Sequence, residues 1–393
     1  MNQSLHILHV MTGIDRGGAE NHLFDLVSGQ LAAGHTVEVA YLKGGGYWAA
    51  ALRRSGAAVH ALGLGFYGDP RPVLRLRQMI ARDGFDLIHA HLPPAELYAR
   101  LALQGISPST LPLVISKHND CPFHPSLPGE KALGRWVARR ASAVIAISDA
   151  VRRYMVGVAG LEEEQVETIF YGLDVRPFDC ALPEKSATLR RGWGADDATL
   201  LVGFVGRFVE QKSIDTLIRA FAIFCRKEPR DAKLVIVGAG PLESALRRAA
   251  EASGVAERVV WAGFHEDIVD VMHAFDVFAL TSRHEGFGLV LVEAMAARRP
   301  VVATRTGAIG EVVVNGETGF LAEPGDAASV ADALAKLTDA SVRARLGAAG
   351  HRRVGEHFTL ERMWDATEAV YARSLAPTFH STRRAPQPAT ASF

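Results

Sequence analysis

Residues 281–297, TSRHEGFGLVLVEAMAA, hold the most chemically pointed spacing in the chain. Glu285 is followed by Gly286, Phe287 and Gly288, then by Leu289 and a run of good helix formers with a second carboxylate at Glu293. The free N–H groups of a helix start bind an anion, and glycines let phosphate oxygens approach the backbone. A carboxylate beside such an anion is repelled by it, so Glu285 is better suited to accept hydrogen bonds from hydroxyl groups. Glu293, inside the helix, could accept from a ribose diol as acidic residues do in dinucleotide folds. Taken alone, the same spacing also fits an ordinary helix start with two solvated glutamates.

Other residues extend this chemistry. Gly206, Arg207 and Lys212 follow an apolar run at 200–205. Two cations at the end of a strand could neutralise a diphosphate and hold charge that builds on a leaving group. Gly17 and Gly18 follow the first apolar run and permit a tight turn with close ligand approach. His118 follows LVIS-K, where an imidazole could bond a hydroxyl. His89-x-His91 has ligand-like spacing but no evident further ligands, and reads as lining a cleft. No metal ligand set is assigned. Gly238-x-Gly240 lacks the third glycine of a dinucleotide fingerprint, with Glu243 in its place.

Short apolar runs alternate with helical patterns and must position these residues. Strands are expected at 5–11, 36–42, 86–90, 112–116, 143–147 and 166–170, with helices at 19–33, 71–83, 130–141 and 149–156. A looser Pro- and charge-containing stretch at 172–186 reads as a linker. A second series follows, with strands at 200–205, 233–237, 258–262, 276–280 and 300–303. Continuous apolar strands separated by helices indicate parallel sheets covered on both faces. The fold class is therefore α/β, with two doubly wound, Rossmann-like domains facing each other across a cleft. Residues 1–178 form the first domain, completed by a returning helix at 359–375. Residues 179–358 form the second, and the tail 376–393, rich in Pro, Ser, Thr and Ala, is expected to be disordered.

Lys plus Arg and Asp plus Glu number 43 each, so no global field draws the 393-residue chain to nucleic acid. Cys121, Cys180 and Cys225 are far apart, which suits a reducing compartment. Neither a secretory leader nor a spanning apolar run is evident. A cytoplasmic location follows, with at most a surface relation to the inner membrane face.

E-G-F-G-L-x-x-x-E at 285–293 resembles the signature of the retaining GT-B glycosyltransferases of the large family 4 group, of the bacterial polysaccharide and glycolipid type. Further matches come in order: Gly17-Gly18-Ala19-Glu20, His118, Ala146-Ile147-Ser148, Tyr171-Gly172-Leu173-Asp174, Gly206-Arg207-Phe208 through Lys212, Gly238-Ala239-Gly240-Pro241-Leu242, Trp261-Ala262-Gly263 and Asn315-Gly316-Glu317-Thr318-Gly319. The resemblance covers roughly residues 5–375. Asn119-Asp120 after His118 departs slightly from the family pattern.

The resemblance implies transfer of a hexose-type sugar from a nucleotide-diphosphate sugar, UDP- or GDP-linked, to a glycan, lipid-linked or small-molecule acceptor. Arg207, Lys212, Glu285 and His118 would serve the reaction. Gly17, Gly18, Gly206, Gly286, Phe287, Gly288, Leu289 and Glu293 would bind the donor. No Asp-x-Asp stands in the chain to hold a metal on the diphosphate, and no cofactor is expected. An epimerase-like enzyme acting on the nucleotide sugar alone and a non-catalytic binding protein stay open as alternatives. The basic-apolar segment 71–82 and the stretch Lys131 to Arg140 with Trp136 suggest an anionic membrane surface as a partner. Both could equally be helices that bury their apolar sides in their own domain.

Overall fold

The computed structural model describes residues 4–15, 17–119, 129–228 and 231–376. The strands of the first sheet are β1 (His6–Met11), β2 (Thr36–Tyr41), β3 (Ala58–Ala61), β4 (Leu87–His91), β5 (Leu113–Lys117), β6 (Ala143–Ala146) and β7 (Val166–Thr168). Those of the second are β8 (Leu200–Val205), β9 (Ala232–Val237), β10 (Val259–Gly263), β11 (Val277–Leu280), β12 (Val301–Thr304) and β13 (Gly319–Ala322). The orders are β3-β2-β1-β4-β5-β6-β7 and β10-β9-β8-β11-β12-β13. All pairings within both sheets are parallel. The central strands β4, β5 and β11 are buried at every position, as sheets covered on both faces require.

Strand order reverses between β1 and β4 and again between β8 and β11. Loops leaving the carboxyl ends of such neighbours diverge to opposite faces and open a crevice. In the second sheet those loops carry Gly206 to Lys212 and Thr281 to Gly288. In the first they carry residues 12–15, Gly17 and Leu92.

Two strands escape the sequence pattern. β3 and β13 are four residues long and lie at sheet edges, where burial is incomplete and the apolar run too short to stand out. The linker expectation also needs correction. Residues 176–179 and 183–192 are helical, each with proline in the first turn, where its missing N–H costs no helix bond. Phe178 is buried, and its carbonyl accepts from His273 Nε2 at 2.9 Å.

The chain returns beside its own exit. Leu173 N donates to Phe358 O at 2.8 Å. A Cβ on Gly172 would lie 2.6 Å from Thr359 O. The Leu360–Leu375 helix then buries Leu360, Met363, Val370 and Tyr371 in one cluster with Ile7, Leu26, Leu87, Val114 and Ile145 of the first domain. Beyond Ala376 the expected disordered tail lies outside the described residues.

The Arg71–Asp83 helix spends its apolar side inside its domain. Pro72, Leu76 and Met79 are buried, while Leu74 stays exposed. Its arginines are engaged: Arg71 with Asp69, Arg75 with Leu62 O, Arg77 with Gln104 O and Arg82 with Asp83. Trp136 on the Glu130–Ala138 helix carries the Arg100 guanidinium 4.3 Å above its ring. Both stretches thus make contacts within their own domain, while Leu74 and Trp136 stay exposed. No helix of the described residues is long and apolar enough to cross a membrane.

Candidate active site

Lys212 and Glu285 meet at the switch point of the second sheet. Lys212 Nζ donates to Glu285 Oε2 at 2.7 Å, and Ser282 Oγ donates to the same oxygen at 3.0 Å. Both charged side chains are largely buried, so desolvation strengthens their attraction and makes loss of either costly. The two loops are strapped together. Arg283 N donates to Gln211 O, and Gln211 Nε2 donates to His284 O at 2.9 Å. Ala308 N donates to Glu285 O at 3.1 Å, which adds the loop after β12.

Glycine makes this nesting possible. Gly238, at φ 130°, presses against Gly206 O, where a Cβ would stand only 2.0 Å away. Gly240 lies against the Phe208 backbone. The Gly238-x-Gly240 pair thus seats the loop that bears Arg207 and Lys212. Arg207 itself is exposed. Its charge is felt by Glu20, near the start of the Gly18–Ala32 helix of the first domain. Burial raises the Glu20 carboxyl, and Arg207 opposes that rise. At Gly18 an added Cβ would meet nothing within 4 Å.

The glycine-rich turn at 286–288 splits into different roles. Gly286 backs onto the first domain, with the position of a Cβ 2.6 Å from His118 O. Gly288 adopts φ 86° and caps the Leu289–Ala296 helix, a conformation that favours glycine. The Phe287 side chain is packed at the domain junction. Its ring is 2% exposed and packs 5.3 Å from Tyr171, 5.9 Å from Phe170 and 5.6 Å from Phe358. It therefore wedges the domains together. Leu289 is half-buried at the helix start.

Glu293 lies on that helix, and burial pushes its carboxyl up to about 7, with Asp25 of the first domain adding to the rise. Burial likewise raises Asp25 to about 7, with help from Asp174. The two carboxyls come from opposite domains, and the Asp25 charge is felt by Glu293.

His118 does not offer a free nitrogen to the cleft. Nδ1 lies 2.5 Å from Tyr171 Oη and Nε2 lies 3.3 Å from His91 Nδ1. Burial pushes its imidazole down to about 3, with Lys117 contributing. Lys117 forms a buried ion pair with Glu96. Tyr171 is the group between His118 and the two domains' acids. Burial raises its phenol well above the usual range, and Glu20 and Glu285 add to the effect. Tyr171 carries no signal of its own in the spacing beyond the motif that contains it. His22 was equally hidden: its ring stacks 4.5 Å from Tyr171, and its Nδ1 is buried without a partner among the described residues.

His89 and His91 do not line the cleft. Alternation puts both on one face of β4, but that face lies under the returning helix, and both are fully buried. With His9 of β1 they bring three ring nitrogens within 4.8 Å of one another.

The domains also touch beside the cleft. Glu311, from the second domain, accepts from Asp149 N at 2.8 Å and Ala150 N at 2.7 Å, at the start of the Asp149–Gly157 helix. Arg153 on that helix adds an ion pair at 3.3 Å.

Comparison with known proteins agrees with this geometry. A family model described as Glycosyltransferase Family 4 matches residues 16–176, and one described as Glycosyl transferases group 1 matches residues 185–353. The Alpha-D-kanosaminyltransferase of Streptomyces kanamyceticus is 30% identical over 281 residues, covering 68% of this chain and 72% of that protein. A GDP-mannose-dependent monoacylated phosphatidylinositol monomannoside mannosyltransferase of Corynebacterium glutamicum is 32% identical, over 60% of this chain and 64% of its own. Anabaena Alr3699/HepE, solved in complex with UDP and glucose, superposes with a TM-score of 0.82 at 25% identity, covering 94% of this chain and 99% of that one.

Proposed function

This chain belongs to the family 4 glycosyltransferases of GT-B fold, which use nucleotide sugars, and we propose that it moves a hexose-type sugar from a UDP- or GDP-linked donor to a hydroxyl of a glycan, glycolipid or small-molecule acceptor, with retention at the anomeric carbon. The observation that carries this reading is the Lys212–Glu285 pair, strapped at the switch point beside Arg207. It supplies cations for a diphosphate and an acceptor for sugar hydroxyls at one place.

In this reading the donor diphosphate lies against the start of the Leu289–Ala296 helix, with Gly206, Gly286 and Gly288 allowing the approach. Gly17 and Gly18 close on it from the first domain. Glu293 receives the ribose diol. The acceptor oxygen forms its bond to the anomeric carbon on the face from which the phosphate departs. The bond from that carbon to the phosphate oxygen breaks, and the leaving phosphate takes the acceptor's proton. Arg207, Lys212 and helix N–H groups hold the charge that develops, so no divalent cation is required.

The test is turnover of UDP- and GDP-sugars with EDTA present, with the anomeric coupling of the product read by NMR. Transfer with retention supports the proposal. An absolute need for Mg²⁺ or Mn²⁺, or an inverted product, rejects the corresponding part of it.

A further inference from the structure

One unbroken chain of side-chain hydrogen bonds runs from Tyr171 at the domain junction through the interior of the first domain. Tyr171 Oη meets His118 Nδ1 at 2.5 Å, His118 Nε2 meets His91 Nδ1 at 3.3 Å, and His91 Nε2 meets His9 Nδ1 at 3.0 Å. His9 Nε2 then meets Gln30 Oε1 at 2.8 Å. On the other side of the amide, Gln30 Nε2 donates to Tyr371 Oη at 3.0 Å. Tyr371 Oη meets His89 Nδ1 at 2.6 Å, and His89 Nε2 meets Ser116 Oγ at 2.8 Å.

Burial favours the neutral form of all four imidazoles, lowering His9 to about 4 and His118 to about 3, and taking His89 and His91 well below their ordinary value. A neutral imidazole has one N–H and one lone pair. Each link between the rings must therefore match one donor to one acceptor, and the direction of the Gln30–His9 link fixes those through His91 and His118 to Tyr171.

With Gln30 Oε1 toward His9, the order is determined. His9 donates from Nε2, so its Nδ1 accepts from His91 Nε2. His91 Nδ1 then accepts from His118 Nε2, and His118 Nδ1 accepts from the Tyr171 hydroxyl. On the other arm, Tyr371 can donate to His89 Nδ1, and His89 Nε2 then donates to Ser116. A half-turn of the Gln30 amide reverses every bond from His9 to Tyr171. Along His9, His91 and His118 any mixed arrangement leaves a buried donor facing a donor, or an acceptor facing an acceptor, which folded proteins avoid; on the other arm the Tyr371 and Ser116 hydroxyls can each donate or accept.

We propose that Gln30 is a positioning residue that, through His9 and His91, sets which ring nitrogen of His118 carries the proton and hence whether Tyr171 offers the cleft a lone pair or an O–H. In the first setting Tyr171 donates inward and presents an acceptor for a sugar hydroxyl. In the reversed setting it presents its own O–H, suited to a phosphate oxygen. Tyr371 belongs to the Leu360–Leu375 helix, so the returning helix holds the far end of the relay. The functional consequence rests on the reading of the His118 corner as part of the donor-sugar site.

The experiment is two-bond ¹H–¹⁵N NMR of the full chain labelled at histidine, at pH 7.5, with resonances assigned by single substitutions. The expected result is that His9, His89, His91 and His118 are neutral and that His9, His91 and His118 share one tautomer. Mixed tautomers among His9, His91 and His118, or an imidazolium among the four, would overturn the relay. Gln30→Met should uncouple the arms, shift or split the His118 ring signals and lower kcat by about 10-fold with little change in KM. Unchanged His118 signals in that variant overturn the proposal, whatever its melting temperature. A changed tautomer with unchanged kcat upholds the relay and counts instead against His118 as a neighbour of the donor sugar. Stoichiometric Zn²⁺ should leave the spectra as they are. A shift confined to His9, His89 and His91 would mark them as metal ligands and overturn the relay.

Discussion

The backbone of Gly286 and the carbonyl of His118 lie so close across the cleft that a Cβ on Gly286 would stand 2.6 Å from the oxygen. The glycine of one domain is thus cut to the shape of the other. Gly286→Ala must push the His118 strand end away from the Glu285 loop. Displacements of about 1 Å between reacting groups cost on the order of 100-fold. We expect kcat/KM to fall by about that factor while the melting temperature moves little, since each domain keeps its own core. Wild-type turnover in a folded Gly286→Ala enzyme would show that this approach is not needed for transfer.

Arg207 and Lys212 separate in their side effects. Either alanine substitution should slow transfer by about 100-fold or more, the loss typical of a missing transition-state charge partner. Lys212→Ala also strips the largely buried Glu285 of its ion pair, so it should lower the melting temperature as well. Arg207 is exposed, and Arg207→Ala should leave thermal stability unchanged. Parallel kinetics and melting curves of the two variants check both halves of this expectation.

Glu293 makes stability depend on pH. Its folded pKa is about 7, above the ordinary 4.5, so the folded protein holds a proton that the unfolded chain releases between those values. Its contribution is therefore fully present below about pH 4.5 and is lost as pH rises toward 7. Glu293→Gln removes this loss. The variant should melt a few degrees higher than the wild type at pH 8, an effect on the order of 1–3 kcal/mol, with the gap closing toward pH 4.5. Donor binding should weaken in the same variant. Melting curves over that range, with and without UDP and GDP, test the pair.

Glu311 holds the domains together from outside the site. Its carboxylate meets two helix N–H groups and Arg153 in the first domain. Glu311→Ala should open the cleft, which small-angle scattering would report as a larger radius of gyration, and should raise the apparent Kd for the donor. The shape difference should shrink when the donor is bound. Identical scattering from variant and wild type without ligand would remove Glu311 from the closure.

Much of the architecture was legible because it is written locally. Apolar runs such as 87–91 and 277–280 mark buried parallel strands, and the glycines and carboxylate after β11 mark a loop with chemistry at its end. Lys212 and Glu285, 73 residues apart, could be assigned to one site because strands in such folds bring their carboxyl ends together. The short edge strands β3 and β13 carried too few residues to register.

The roles of individual side chains within that frame depended on which faces the folded chain covers. Phe287 stands in a ligand-binding motif, yet its ring closes the domain junction because Phe170, Tyr171 and Phe358 surround it. His89 and His91 share a strand face by alternation, but the returning helix, with Tyr371 at His89, and the Gly18–Ala32 helix, with His22 near His91, make that face interior. The sequence by itself determined the parallel sheets and the residues at their carboxyl ends, because period and strand-end glycines are properties of neighbours in the chain. Tertiary structure alone decided that His118 is joined to Gln30, and Gln30 to Tyr371 at a separation of 341 residues, because each hydrogen bond needs a partner that only folding brings within reach.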